Sequence, residues 1–172
     1  PESRSLYERH GFAMRDDLGL IAAGECSVMS AREKLDRGID DSRRMALVDY
    51  AAIAARRRGE RIVETLNRFA YRWAEIRGVV ATAVEAELDN VRSQRVLFRE
   101  GYTASRLLSP SLGIHKPFLV ALRPITPQPT EWRERETVPA SQVETLRAML
   151  DDGWVAYDVT PNGQTFSLGR NT

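Results

Sequence analysis

Residues 45–61 read MALVDYAAIAARRRGER and residues 62–78 continue IVETLNRFAYRWAEIRG; the change of periodicity between them decides the fold. In the first part Leu47, Asp49, Ala51 and Ile53 alternate with their neighbours, the period of a strand over residues 45–54. In the second, Ile62, Leu66, Phe69, Ala70, Trp73 and Ile76 recur at helical spacing, which predicts a long amphipathic helix ended by Gly78. Between them lies the turn Arg56-Arg57-Arg58-Gly59-Glu60-Arg61. A strand-to-helix turn collects backbone N–H groups at the positive end of the helix dipole, which makes it a natural anion site. Arg56, Arg57, Arg58 and Arg61 add charge there, and Gly59 permits close backbone approach. Two readings stand for this turn: a pyrophosphate cradle, favoured by the strand-to-helix setting, and a solvated charged turn that caps a helix.

Moving toward the C-terminus, residues 79–88 form a Val- and Ala-rich strand, and Asp89-Asn90 opens a helix over Val91–Arg99 that Gly101 caps. Residues 102–108 and 118–122 read as two more strands joined by a Ser/Pro/Gly loop. Residues 124–139 hold Pro124, Pro127, Pro129 and Pro139 and read as a linker. Ser141 and Glu144 form a capping-box pattern ahead of Val143, Leu146, Met149 and Leu150, in a helix ended by Gly153. Residues 154–159 and 164–168 pair as a hairpin around Pro161-Asn162-Gly163. Toward the N-terminus, residues 3–10 read as a short helix stopped by Gly11, and residues 12–15 and 20–29 as a hairpin. Residues 31–44 read as an exposed loop or short helix. The expected organisation is a domain over 1–123, a linker over 124–139 and a helix-plus-hairpin appendage over 140–172, too small to fold well alone.

With 42% hydrophobic and 28% charged residues, a chain of 172 residues can bury a real core. The net charge of +1 does not demand a nucleic-acid partner, although the cations are nearly all arginine, with lysine only at Lys34 and Lys116. Cys26 is the single cysteine, so no intramolecular disulfide forms, which favours a reducing compartment. Cys26, His10 and His115 do not make a zinc cluster, and no metal is expected. No apolar run approaches the roughly 20 residues of a membrane span, and the opening PESRSLYERH is polar, unlike a signal peptide. The expected location is the cytoplasm. The chain begins at Pro1, which implies a removed initiator methionine or a fragment.

The order strand, Arg/Gly turn, long helix, strand, Asn-led helix resembles the GNAT superfamily of N-acyltransferases. That family's pyrophosphate motif, Gln/Arg-x-x-Gly-x-Gly/Ala, is matched by Arg56-Arg57-Arg58-Gly59-Glu60-Arg61. Its later motif is matched by residues 90–102, NVRSQRVLFREGY, with Asn90, Ser93, Val96-Leu97 and Gly101-Tyr102 at the same intervals. The resemblance covers residues 1–123. It implies an α/β (α+β) fold with a mixed, mostly antiparallel sheet flanked by helices. Residues 45–54 and 79–88, the family's fourth and fifth strands, would be parallel, adjacent and splayed at one end. It implies acetyl-coenzyme A, or another acyl-coenzyme A, as cofactor. Backbone groups of Ile53 and its neighbours would meet the pantetheine arm, backbone N–H groups of Arg57 to Arg61 the pyrophosphate, and Asn90 the pantetheine. Three departures stand out. Arg61 takes the place of Gly or Ala, Leu97 that of a tyrosine that protonates the leaving thiolate in many members, and the family's first strand has no counterpart.

The implied reaction is acyl transfer to an amine, in a small molecule or a protein. The amine must be neutral to attack, so a general base is useful, and N–H groups at a strand bulge would hold the oxyanion. Asp49 is the first candidate base. Glu85, which shares a face with Glu87 by period two, is the second. Each is equally readable as a strand-edge carboxylate paired with an arginine. Leu97 donates no proton, which leaves water, Tyr50 or Tyr102 as the donor. His10 and His115 fit surface or loop roles, Cys26 a small buried residue, Trp73 core, and Trp154 and Tyr157 packing of the appendage. Two other functions compete: a catalytically degenerate GNAT-like binding module, motivated by Arg61 and Leu97, and a nucleic-acid-modifying enzyme on this scaffold, which is not favoured.

Overall fold

A computed structural model describes residues 9–16, 19–39, 42–53, 56, 61–109, 116–126 and 130–171. The chain forms two compact units, one up to Ala83 and one from Val84 onward.

In the first unit, β1 (Arg9–Asp16) and β2 (Gly19–Val28) pair as an antiparallel hairpin, and β2 pairs antiparallel with β3 (Met45–Ile53). The helix expected over residues 3–10 falls mostly outside the described residues, but its end does not hold. His10 lies in β1 opposite Cys26, and Gly11 sits mid-strand opposite Glu25 rather than stopping a helix. The segment after β2 contains the short helix α1 (Ala31–Asp36). It opens on a capping box in which Ser30 Oγ accepts from the Glu33 N–H and the Glu33 carboxylate accepts from the Ser30 N–H.

α2 (Ile62–Ile76) follows β3 and packs against β2 and β3. Its buried face is Ile62, Leu66, Asn67, Ala70, Trp73 and Ala74. Phe69 and Ile76, expected in that stripe, are exposed at 55% and 68%. Burying Leu66 contributes roughly 1.5–3 kcal/mol. After α2, β4 (Ala81–Glu87) pairs parallel with β3, from Met45↔Ala81 to Leu47↔Ala83. Met45, Ala46 and Leu47 are all buried, so this part of β3 is covered on both faces.

The second unit takes β4 onward through α3 (Val91–Arg99), β5 (Thr103–Leu108), β6 (Phe118–Pro124), β7 (Glu134–Pro139), α4 (Val143–Asp151), β8 (Val155–Val159) and β9 (Thr165–Arg170). Its strand order is β4-β6-β5-β8-β9-β7. The β5/β6, β5/β8, β8/β9 and β7/β9 ladders are antiparallel, so the sheet is mixed and mostly antiparallel, as expected.

Two expectations are corrected here. Residues 134–139 are not linker: β7 pairs along its whole length with β9, and Val138, buried opposite Phe166, fixes it. The C-terminal helix and hairpin are not set apart either. They share a compact unit with α3, β5 and β6, Ala104 of β5 faces Ala156 of β8, and α4 packs on β5. The N-cap of α4 is Gln142, without a side-chain bond, so Ser141 and Glu144 do not form the expected box. Among the described residues no helix is long and apolar enough to cross a membrane.

Candidate functional site

In the first unit the relevant feature is the C-terminal part of β3 and the entry to α2. Glu25 of β2 faces Tyr50 and Cys26 faces Val48, so Asp49 is an extra residue in β3 at a bulge. The bulge interrupts the unbroken alternation that would place Leu47, Asp49, Ala51 and Ile53 on one face. The parallel ladder to β4 ends at Leu47↔Ala83 among the described residues, while β3 runs on to Ile53 along β2. On the side away from β2, the backbone from Val48 to Ile53 therefore has no described strand partner.

Arg57, Arg58 and Gly59 lie outside the described residues, and Arg56 is exposed. Arg61 is the N-cap of α2 and has φ 57° and ψ 25°, the left-handed region; it is the one non-glycine residue described with positive φ. The position where the resemblance implies Gly or Ala thus holds an arginine in a backbone shape that favours glycine. Among the described residues no side chain caps α2, and the Glu64 N–H donates to the Arg61 carbonyl at 3.1 Å. The Arg61 side chain turns onto the helix, and its Nε donates to Glu64 Oε1 at 2.7 Å. Glu64 is a residue the sequence reading missed; its i,i+3 spacing from Arg61 was the available signal.

Cys26 is buried. Burial pushes its thiol up to about 12 against a smaller opposing pull from Arg77, so it is not a thiolate nucleophile near neutral pH. Trp73 is buried in the core, with the Arg77 guanidinium 4.3 Å from its ring centroid.

The second unit gathers polar groups where β4 passes into α3. Glu85 is half-buried on β4 between buried Val84 and Ala86. Glu87, two residues on, lies 3.5 Å from Lys116 Nζ, which also donates to Asp89 Oδ2 at 2.7 Å. The ammonium beside Asp89 holds its carboxyl below the usual range. Asn90 is the N-cap of α3, its Oδ1 accepting from the Ser93 N–H at 3.2 Å. One turn on, Gln94 is 1% exposed, and its Nε2 donates to the carbonyls of Glu87 and Leu88, both at 2.8 Å. Gln94 thereby ties the end of β4 to α3. Its place four residues after Asn90 and four before buried Phe98 was the legible signal. Leu97 is half-buried, and Tyr102 is buried in the core at 1% exposure.

The second unit thus brings together Asn90, Gln94, Glu87 and Lys116, with Glu85 on the same strand. Asp49, Ile53, Arg56 and Arg61 belong to the first unit.

The mixed, mostly antiparallel sheet flanked by helices has the GNAT fold. No protein-family model and no curated protein matches the sequence. Solved structures do. A putative acetyltransferase of the GNAT family from Desulfovibrio desulfuricans is similar with a TM-score of 0.58 at 12% identity, over 70% of this chain and 71% of that one. The NatC complex bound to Gag peptide and CoA gives 0.56 at 15%, over 67% and 71%. The ribosomal-protein-S18-alanine N-acetyltransferase from Escherichia coli gives 0.52 at 14%, over 77% and 79%.

Proposed function

We propose that this chain is an N-acyltransferase that moves an acetyl or other acyl group from acyl-coenzyme A to an amine of a small molecule or protein. The observation that carries the proposal is the run from the Asp49 bulge, past the end of the described β3/β4 ladder, to the start of α2, which has no described side-chain cap. Similar folds belong to an N-acetyltransferase and to a complex bound to CoA and a peptide.

The residues present fit such a cofactor. The backbone of Ile53 and its neighbours would offer hydrogen-bonding groups to an amide-bearing arm. The N–H groups at the start of α2, with Arg56, Arg57, Arg58, Gly59 and Arg61, suit a pyrophosphate. The Asn90 amide, whose oxygen caps α3, keeps N–H donors for a pantetheine carbonyl. Bound acyl-coenzyme A supplies the activated acyl group. The chain's own part is to orient the thioester, offer N–H groups at the bulge to the developing oxyanion, and accept the amine proton. Asp49 is the first base proposed and Glu85 the second. Neither Leu97 nor Phe98 carries a donor and Tyr102 is buried in the core, so water or Tyr50 protonates the leaving thiolate, whose ordinary pKa lies only about one or two units above neutrality.

Thiol release from acetyl-coenzyme A against a panel of amines and peptides tests the reading. Amine-dependent release that rises with pH, as the acceptor loses its proton, supports it. Tight cofactor binding without release leaves the degenerate binding module, which the Arg61–Glu64 ion pair at the helix start favours as second reading. Absence of binding removes both.

A further inference from the structure

We propose that the tip of the C-terminal hairpin positions the first turn of α3, and through it Asn90. The inference rests on the acyl-coenzyme A reading for its functional meaning.

The tip is a tightly bonded turn. Thr160 and Thr165 exchange backbone and side-chain bonds, the Thr160 N–H to the Thr165 carbonyl at 2.9 Å and the Thr165 N–H to Thr160 Oγ1 at 3.0 Å. Asn162 Oδ1 accepts from Thr160 Oγ1 at 2.8 Å and from the Gln164 N–H at 3.2 Å. The Gly163 N–H donates to the Thr160 carbonyl at 2.8 Å. Such a turn holds its shape and transmits its position.

Gly163 sits against α3. Its φ is +73°, and a Cβ added there would overlap Val91 Cγ2 and come within 3.1 Å of Val91 Cβ and Cγ1. The backbone shape and the contact are separate demands. Asparagine also tolerates a left-handed φ, but only glycine leaves room for Val91. Val91 is the first residue of α3 and directly follows Asn90. Farther along, α3 packs on β8, so the hairpin backs the helix while its tip fixes the helix start. Gly163 is therefore a positioning residue that acts through Val91 on Asn90.

Gly153 supplies the control. Its φ is +86°, it lies in the same unit at the end of α4, and nothing is within 4 Å of a Cβ built there. Gly153→Ala adds backbone strain without touching α3.

In the full chain, three variants are compared: Gly163→Ala, Gly153→Ala and the double variant Gly163→Ala with Val91→Ala. Each is measured for acetyl-coenzyme A affinity by calorimetry, melting temperature, and amide exchange at the Ser93 N–H that Asn90 caps. Gly163→Ala is expected to weaken acetyl-coenzyme A about tenfold and to speed Ser93 exchange. Removing the Val91 methyls should recover most of both. Gly153→Ala should lower the melting temperature and move neither. Gly163→Ala with wild-type Ser93 exchange overturns the proposal, as does Gly153→Ala shifting exchange equally. If the wild type binds no acetyl-coenzyme A, the functional reading fails, and Ser93 exchange alone decides the positioning role.

Discussion

The N-termini of α2 and α3 face the same chemical problem and resolve it oppositely. Each begins with backbone N–H groups that lack intrahelical acceptors. At α3 a side chain supplies an acceptor: Asn90 Oδ1 takes the Ser93 N–H, while Gln94 ties the helix to β4 and Gly163 seats the hairpin on Val91. At α2 no side chain caps the helix, and the residue entering it is an arginine in the left-handed region. A missing cap forgoes about 1 kcal/mol, and a left-handed non-glycine residue costs roughly 1–2 kcal/mol. The exposed Arg61–Glu64 pair returns at most about 1 kcal/mol. Local strain of this kind persists where surrounding packing holds it, and it clusters at ligand sites. Buried Ile62, Leu66, Ala70, Trp73 and Ala74 hold α2 against the sheet, so its end can stay open.

The strongest way to break this contrast is at Gln94. Its amide donates to two carbonyls from a position 1% exposed to solvent. Gln94→Glu turns a carboxylate toward those carbonyls, and a destabilisation of about 3 kcal/mol or more in denaturant melts is expected near neutral pH. Burial would raise that carboxyl's pKa in the folded state above its unfolded value. The folded state then binds more protons, and the lost stability should return as pH falls toward the unfolded pKa. A variant as stable as wild type at pH 7 would show that the corner is not fixed by Gln94.

Second in size is the affinity for acyl-coenzyme A. If Arg61 leaves Glu64 to meet a phosphate, Arg61→Ala should lose a charge-assisted contact of about 1.5–3 kcal/mol in calorimetry. Tighter binding in the variant would mean that Arg61 obstructs the helix start, and would favour the binding module without catalysis.

A smaller effect is expected at Asn90. Asn90→Ala removes the cap from α3 and should cost about 1 kcal/mol of stability. Arg61→Ala removes no cap bond from α2. A loss in Arg61→Ala well beyond the roughly 1 kcal/mol that its ion pair to Glu64 returns, and larger than that in Asn90→Ala, would erase the distinction between the helix starts.

How much of this could be read from the sequence follows the range of the interactions. The strand-helix-strand-helix order was legible because periodicity is local, and Val91–Arg99 with its Asn90 cap emerged as expected. Phe69 and Ile76 stand outside the buried face because apolar type alone does not decide burial. The face toward the sheet is instead completed by Asn67 and Ala74. β7 was hidden because an edge strand exposes one side and carries charge there, so ERETVP with a single buried Val138 looks like a linker. The Asp49 bulge depends on how β2 and β3 register, and the Gly163–Val91 contact joins residues far apart in sequence. Neither leaves a local signature. The arginine-rich turn was visible as a motif, whereas the left-handed Arg61 was not, because sequence alone gives arginine no reason to adopt that shape.

The last test separates the strain at Arg61 from its charge. Arg61→Ala and Arg61→Gly both remove the guanidinium and the bond to Glu64, so they share that loss. They differ in the backbone. Alanine keeps a Cβ in the left-handed region, while glycine adopts φ 57° freely but gains entropy in the unfolded chain. The first effect favours the glycine variant by roughly 1–2 kcal/mol, and the second opposes it by about 0.4–1 kcal/mol. Arg61→Gly should therefore be the more stable of the two by up to about 1.6 kcal/mol in chemical melts. Acyl-coenzyme A affinity should fall alike in both, since it tracks the lost charge. If Arg61→Gly instead binds more tightly than Arg61→Ala, the backbone shape itself limits how the start of α2 receives the phosphate. If it is the less stable, the left-handed conformation at Arg61 carries no strain, and the contrast between the two helix starts rests on capping alone.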